Sequence, residues 1–177
     1  MNANDPLRMT AVTAMFAALT AVGAYIALPV GPVPVVLQNL FVYLMGLTLA
    51  PKWGLAGIGA YLMAGAAGLP VFAGGRGGIG HLIGPTGGYL VGYLPAVYVM
   101  GLISTRGRRH PAADIAALAA GTLLIYTPGV AWLMHITGMT LRHSLVVGML
   151  PFLIGDILKT AAAFALAKTL RPVLDHG

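Results

Sequence analysis

Leu150-Pro-Phe-Leu-Ile-Gly-Asp156-Ile-Leu-Lys159-Thr-Ala-Ala-Ala-Phe-Ala-Leu166 sets an acid and a base three residues apart inside an otherwise apolar run. Residues at that spacing share one face of a helix. Ionisable groups inside a membrane helix are costly and point into protein rather than lipid. The chain has only 4 acidic residues, so placing one of them here is a functional pointer. The pair reads either as a structural ion pair pinning two helices or as part of a pocket that receives a small polar head group.

The surrounding composition makes that run a membrane helix. Charged residues are 8% of the chain and apolar ones 58%, against about 25% charged in a soluble domain. Mean hydropathy is +0.87. Such a chain cannot clothe a soluble surface and reads as an all-α polytopic membrane protein. At about 20 residues per span, its 177 residues allow roughly six or seven spans, so residues 1–177 read as one integral membrane domain. The absence of cysteine excludes disulfides and thiolate metal sites. The net charge of +6 is that of a nucleic-acid binder, but the cations sit at helix ends, where membrane topology accounts for them.

Six spans are expected, at about 8–28, 35–50, 53–68, 86–103, 112–134 and 150–170, with a Gly-rich connection from Leu69 to Pro85. The second and third are short for a bilayer and read as tilted or capped by loops. An Arg followed by an Ala-rich apolar stretch also resembles a cleavable signal, but charge distribution argues against it. Six spans put both termini on one side, with Arg8, Lys52, Arg106, Arg108, Arg109, Lys168 and Arg171 in the loops there; the opposite loops carry Arg76 and Arg142. The positive-inside rule then makes both termini cytoplasmic, in a multi-pass protein of the cell (inner) membrane.

In that orientation Asp156 lies about two turns below the outer surface, at about 1.5 Å rise per residue. Gln38 and Asn39 open the second helix at its outer end, Thr86 and Tyr89 the fourth; Tyr25 closes the first, and Tyr126, Thr127 and Pro128 lie in the outer half of the fifth. Tyrosines alone would belong to an interfacial belt. Gln, Asn, Asp and Lys at similar depth imply a pocket open to the outside.

Other motifs fail on context. Gly75-Arg76-Gly77-Gly78-Ile79-Gly80 matches GxGxxG, but it follows a membrane helix and lacks the downstream acid of a dinucleotide site. It reads as a lid, since glycine permits tight backbone folding beside a ligand. There is no GxxxxGK[ST], so the chain has no P-loop. His81, His110, His135, His143 and His176 show no metal-ligand spacing and read as solvated or interfacial. Ser104 and Ser144 lack a GxSxG context. In the first helix, Ala14 and Ala18, and beside them Ala17 and Ala21, have the small-residue spacing that lets two membrane helices approach closely. The partner helix is either intramolecular or another protein.

Several stretches together resemble one family. Pro32-Val-Pro-Val-Val-Leu-Gln-Asn-Leu-Phe41, Pro51-Lys-Trp-Gly54, Gly68-Leu-Pro-Val-Phe-Ala-Gly-Gly75, Gly84-Pro-Thr-Gly-Gly-Tyr89 and Pro151-Phe-Leu-Ile-Gly-Asp-Ile-Leu-Lys159 are similar to the BioY family, the biotin-specific S components of energy-coupling factor (ECF) transporters. The resemblance runs from the first helix to the last, and its GPTGGY and GDxxK stretches are the specific ones. It implies the six-helix S-component fold, biotin capture from outside, and docking through small residues of the first helix on a transmembrane coupling protein that binds two ABC ATPase subunits. It implies no enzyme activity and no cofactor, ATP being used by the partner subunits. Ala14 and Ala18, with Ala17 and Ala21 beside them, are then the docking residues. One departure is Gln38-Asn39, where many relatives have Gln-Thr; Asn still donates and accepts, and Gln38 is expected to act through packing or pocket closure.

The chemistry of biotin suits these residues. Asp156 can accept from the ureido N–H groups, and Lys159 can donate to the ureido carbonyl or neutralise a carboxylate. With the ureido ring deep, the anionic tail stays nearer water, where its desolvation costs less; the reverse orientation is open from the residues alone. Tyr89 and Tyr126 are expected to cover the ring faces, and Thr86, Gly87, Gly88 and Gln38 to complete the site, with backbone N–H groups of Gly87-Gly88 meeting polar ligand atoms. The competing readings are an S component for another vitamin, an intramembrane enzyme using Asp156 and Lys159, and a structural scaffold.

Overall fold

The computed structural model describes residues 6–29 and 32–176, with side chains to residue 174; the His176 side chain therefore lies outside what is described. Eight helices follow in order: α1 (Pro6–Tyr25), α2 (Gln38–Thr48), α3 (Pro51–Ala66), α4 (Ile79–Leu82), α5 (Gly87–Arg106), α6 (Pro111–Thr137), α7 (Leu141–Gly148) and α8 (Leu150–His176). Strands β1 (Ala27–Leu28) and β2 (Val35–Val36) separate α1 from α2, pairing antiparallel with Ala27 opposite Val36 and Leu28 opposite Val35.

Six of these helices correspond to the expected spans. α1, α5, α6 and α8 are each long and apolar enough to cross a membrane. α2 has 11 residues and α3 has 16, about 16 and 24 Å at 1.5 Å per residue, short of a hydrocarbon core of about 30 Å. The first helix stops at Tyr25 and the second starts at Gln38 because Ala27–Leu28 and Val35–Val36 pair with each other between them. α2 is buried continuously from Val42 to Thr48. A helix apolar all round belongs in the middle of a bundle, and α1, α3, α5 and α8 pack about it.

Local chemistry sets the boundaries. Pro51 opens α3 and Pro111 opens α6, the first helical turn being where a missing N–H costs nothing. Gly138 ends α6 in the left-handed region at φ 69°, a common C-terminal stop. Thr140 Oγ1 then accepts from the His143 N–H at 3.4 Å to cap α7.

α8 presents a stripe of buried residues, Phe152, Asp156, Lys159, Ala163, Ala167 and Arg171. Ile154, Ile157 and Leu158 are 76%, 66% and 67% exposed. Apolar outside and charged inside is the arrangement lipid imposes, since a charge facing hydrocarbon is expensive.

The inner end of that stripe differs from its expected role as a loop cation. Arg171 is buried and bonds Asp114 through Nη1 at 2.6 Å and Nη2 at 2.8 Å. Its Nε and Nη2 also donate to the Leu47 carbonyl at 3.1 and 2.7 Å, and Ser104 Oγ joins at 2.9 Å. One guanidinium thus ties the same ends of α2, α5, α6 and α8. Its fixed fork of donors suits this bidentate role.

Candidate functional site

At the other end of the bundle, Asp156 is the centre of a hydrogen-bonded network drawn from four helices. Its Oδ1 accepts from Lys159 Nζ at 2.8 Å, one turn along α8. Its Oδ2 accepts from the Tyr126 hydroxyl of α6 at 2.7 Å and from Asn39 Nδ2 of α2 at 3.4 Å. The Tyr93 hydroxyl of α5 donates to Asn39 Oδ1 and accepts from Gln38 Nε2 at 2.9 Å. Asp156, Gln38 and Tyr93 are 3%, 1% and 3% exposed, so the network replaces water for groups that would otherwise be buried at a cost. A carboxylate offers about four acceptor directions and an ammonium three donors. Asp156 uses three directions, one of them a long bond, and Lys159 uses one donor on Asp156. The Tyr43 hydroxyl also turns toward this carboxylate, so the long Asn39 bond is the one that a guest N–H can displace, while Lys159 keeps donors for a guest C=O.

These side chains border a cavity of about 50 Å³ whose wall includes Val33, Val36, Leu90, Ile125 and Phe152 as well as the polar network. It adjoins an outer chamber of about 450 Å³ beneath β1, the prolines before β2, and the α3–α5 connection. A ligand site needs about 300–1,000 Å³, so the chamber is wide enough and the inner cavity alone admits only a small polar group. Tyr89 and Tyr126 meet edge to face, centroids 6.2 Å apart at 88°. The Tyr89 hydroxyl donates to the Gly148 carbonyl at 2.8 Å, so α7 holds that ring in place.

Of the eight residues expected at the pocket, Asp156, Lys159, Tyr89, Thr86, Gln38 and Tyr126 line the inner cavity. Gly87 and Gly88 do not. The Gly87 N–H bonds the Gly84 carbonyl at 3.0 Å, and both glycines face an apolar groove with Pro128 and Trp132 on the other side of α5. A Cβ on Gly88 would strike Trp132 and the Pro128 carbonyl. Gly88 thus serves the close approach of α5 to α6, while a Cβ on Gly87 would strike the Leu82 carbonyl of α4. Tyr25 and Thr127, grouped with the polar cluster by depth, are exposed and absent from the cavity wall.

The cavity also recruits residues outside the expected set. Tyr93 lies one turn beyond Tyr89, and Phe152 one turn before Asp156; both follow from helical periodicity. Asn39, already grouped with Gln38, Asp156 and Lys159 by depth, reaches Asp156 because α2 is central. His81, read from the sequence as solvated or interfacial, is half-buried on the cavity wall. Its ring stacks on Phe72 with centroids 5.3 Å apart, and Nε2 lies 3.2 Å from Thr86 Oγ1. Burial first, and Arg76 second, hold the imidazole below its ordinary value.

On α1, Ala14 and Ala18 are exposed while Ala17 and Ala21 are half-buried and packed against the core. The two small-residue stripes therefore face different surroundings: the first is free on the outside of the bundle and the second is used within it.

The model of the BioY family matches residues 1–176. The chain belongs to the BioY family. It is 42% identical over 160 residues to the probable biotin transporter BioY of Pyrococcus horikoshii, covering 90% of this chain and 94% of that one. It is 38% identical over 165 residues to the biotin transporter BioY of Thermotoga maritima, covering 93% and 96%. The crystal structure of the S-component for biotin from an ECF-type ABC transporter superposes with a TM-score of 0.90 at 28% identity, over 97% of this chain and 95% of that one. BioY membership makes this a transporter chain rather than an enzyme, and the six-helix S-component fold expected from the sequence is the fold observed.

Proposed function

We propose that the chain is the biotin-capturing S component of an ECF-type ABC transporter, a single integral membrane domain that takes biotin from the outer side. The observation that carries this reading is the Asp156–Lys159 pair, set in a tyrosine-lined cavity within a chain of the BioY family. The ureido ring engages the pair: its N–H groups replace the long Asn39 bond on Asp156, and its carbonyl accepts from Lys159. Charge-assisted bonds of this kind are about twice as strong as neutral ones. Tyr89, Tyr126 and Phe152 enclose the apolar ring, while Gln38 and Tyr93 hold Asn39 in place. The inner cavity is too small for the bicyclic ring, so binding widens it, and the Leu69–Pro85 connection becomes less mobile over the ligand.

Delivery requires partners. Ala14 and Ala18 form the docking stripe for a transmembrane coupling protein, which carries the ABC ATPases; close van der Waals contact between small residues drives such association in lipid. Both termini lie in the cytoplasm of a cell bearing this protein in its inner membrane, and cysteines introduced at Arg76 and Arg108 label from opposite sides. Binding of radiolabelled biotin to the purified protein tests the central claim. Saturable binding competed by unlabelled biotin is expected; no binding by folded protein, or equal competition by an unrelated vitamin, overturns it.

A further inference from the structure

The outer chamber carries a positive charge without a counter-charge on its wall, whereas the charges of the inner cavity are paired. Pro34, Ala73, His81 and Thr86 line both spaces, so the two are contiguous, and Arg76 stands on the outer wall. Its position is built into the fold. Phe72 is fully buried, with Tyr61 edge-on and His81 stacked against it. From that anchor the Phe72 N–H bonds the Arg76 carbonyl at 2.8 Å and the Arg76 N–H returns to the Phe72 carbonyl at 3.2 Å. Gly74 and Gly75 make the reversal at φ 69° and 73°, a region that costs other residues strain. The Gly74 N–H is bonded to the Ala24 carbonyl of α1 at 3.0 Å. A short hairpin pinned at both ends thus presents an exposed Arg over the chamber.

The charges on either side sort an anion from a neutral group. Asp156 and Lys159 compensate one another, and a carboxylate brought to them would meet Asp156 as a like charge in a desolvated place. His81 is held neutral at pH 7 by its burial and by Arg76. Arg76 is then the formal positive charge among the described residues lining the outer chamber.

We propose that Arg76 receives the terminal carboxylate of the ligand in the outer chamber, so that the site prefers an acid over its ester and holds the ligand ring-inward. This deepens the reading of the chain as a biotin binder and rests on it. A guanidinium matches a carboxylate with two parallel N–H bonds, and its partial exposure keeps the contribution modest and salt-dependent.

The test compares biotin with biotin methyl ester, which keeps the ring system and loses the tail charge, by equilibrium binding to the full-length protein in detergent. The wild type is expected to prefer the acid. Arg76→Ala should weaken biotin about fivefold and leave the ester within about twofold, and Arg76→Lys should restore part of the difference. Raising salt should narrow the wild-type preference and leave Arg76→Ala unaffected. Equal weakening of both ligands would reduce Arg76 to a loop-holding role, and no weakening of either would place the carboxylate elsewhere; both overturn the assignment. Failure of the folded wild type to bind either ligand would instead remove the biotin reading itself.

Discussion

Replacing Asp156 by Asn changes the site by one charge and almost no volume. In the wild type the carboxylate serves Lys159 at 2.8 Å, Tyr126 at 2.7 Å and Asn39 at 3.4 Å. An amide has one acceptor oxygen for the two short donors, and its NH₂ faces whichever remains. A hydrogen bond to a charged group is worth about 1.5–3 kcal/mol, so losing one to the ligand weakens biotin by about ten- to a hundredfold. Stability falls as well, because Lys159 is left buried without its counter-charge, and breaking a buried pair from one side costs about 3–5 kcal/mol. The two effects separate experimentally: titration with labelled biotin on protein that elutes as a single species, and thermal unfolding in the same detergent with and without ligand. Lys159→Ala should weaken binding at least about tenfold too. The double variant Asp156→Asn/Lys159→Met should unfold at a higher temperature than Asp156→Asn alone, yet bind no better. Wild-type affinity in both folded single variants would refute the pocket assignment.

Three further outcomes follow from particular side chains. Ala14→Leu with Ala18→Leu adds bulk on an exposed stripe and should abolish co-purification with the coupling protein and energised uptake while biotin affinity stays within about twofold; Ala17→Leu, on the packed stripe, should lower the melting temperature, the cost of overpacking being about 1–3 kcal/mol. Asp114→Asn strands the buried Arg171 and should cost about 3–5 kcal/mol, whereas the paired apolar replacement Asp114→Leu/Arg171→Met should recover part of it; an unchanged melting temperature in Asp114→Asn would contradict the burial. His81 has a folded value below its ordinary 6.5, so the unfolded chain binds the extra proton first and stability is lost as pH falls below 6.5; His81→Gln should flatten that part of the melting-temperature profile, and an unaltered slope would show that another group governs it.

Composition and periodicity were enough for the membrane class, the six principal helices and the inward face of α8, because lipid leaves a chain few options. Backbone groups must bond within helices, and a charge in the middle of an apolar run must turn toward protein. Asp156 and Lys159 were legible for that reason, and so were Tyr89 and Tyr126, which share their depth. Side chains whose role depends on a distant partner were not legible. Arg171 looks like any helix-end cation until the bundle brings Asp114, Ser104 and the Leu47 carbonyl to it from three other helices. Gly87 and Gly88 suggest by their type a turn whose N–H groups meet polar ligand atoms, yet the Leu82 carbonyl of α4 and Trp132 of α6 occupy the space that their missing side chains leave. Asn39 was legible by its depth, but its bond to Asp156 and the arrival of Tyr93 depend on α2 running through the centre of the bundle, and Arg76 faces the chamber because Phe72 anchors its hairpin in the core. The sequence by itself determined which residues must avoid lipid, a question of solvation settled one helix at a time. Only the tertiary structure decided which of them meet, because hydrogen bonds and close contacts act over a few ångströms between segments far apart in the chain.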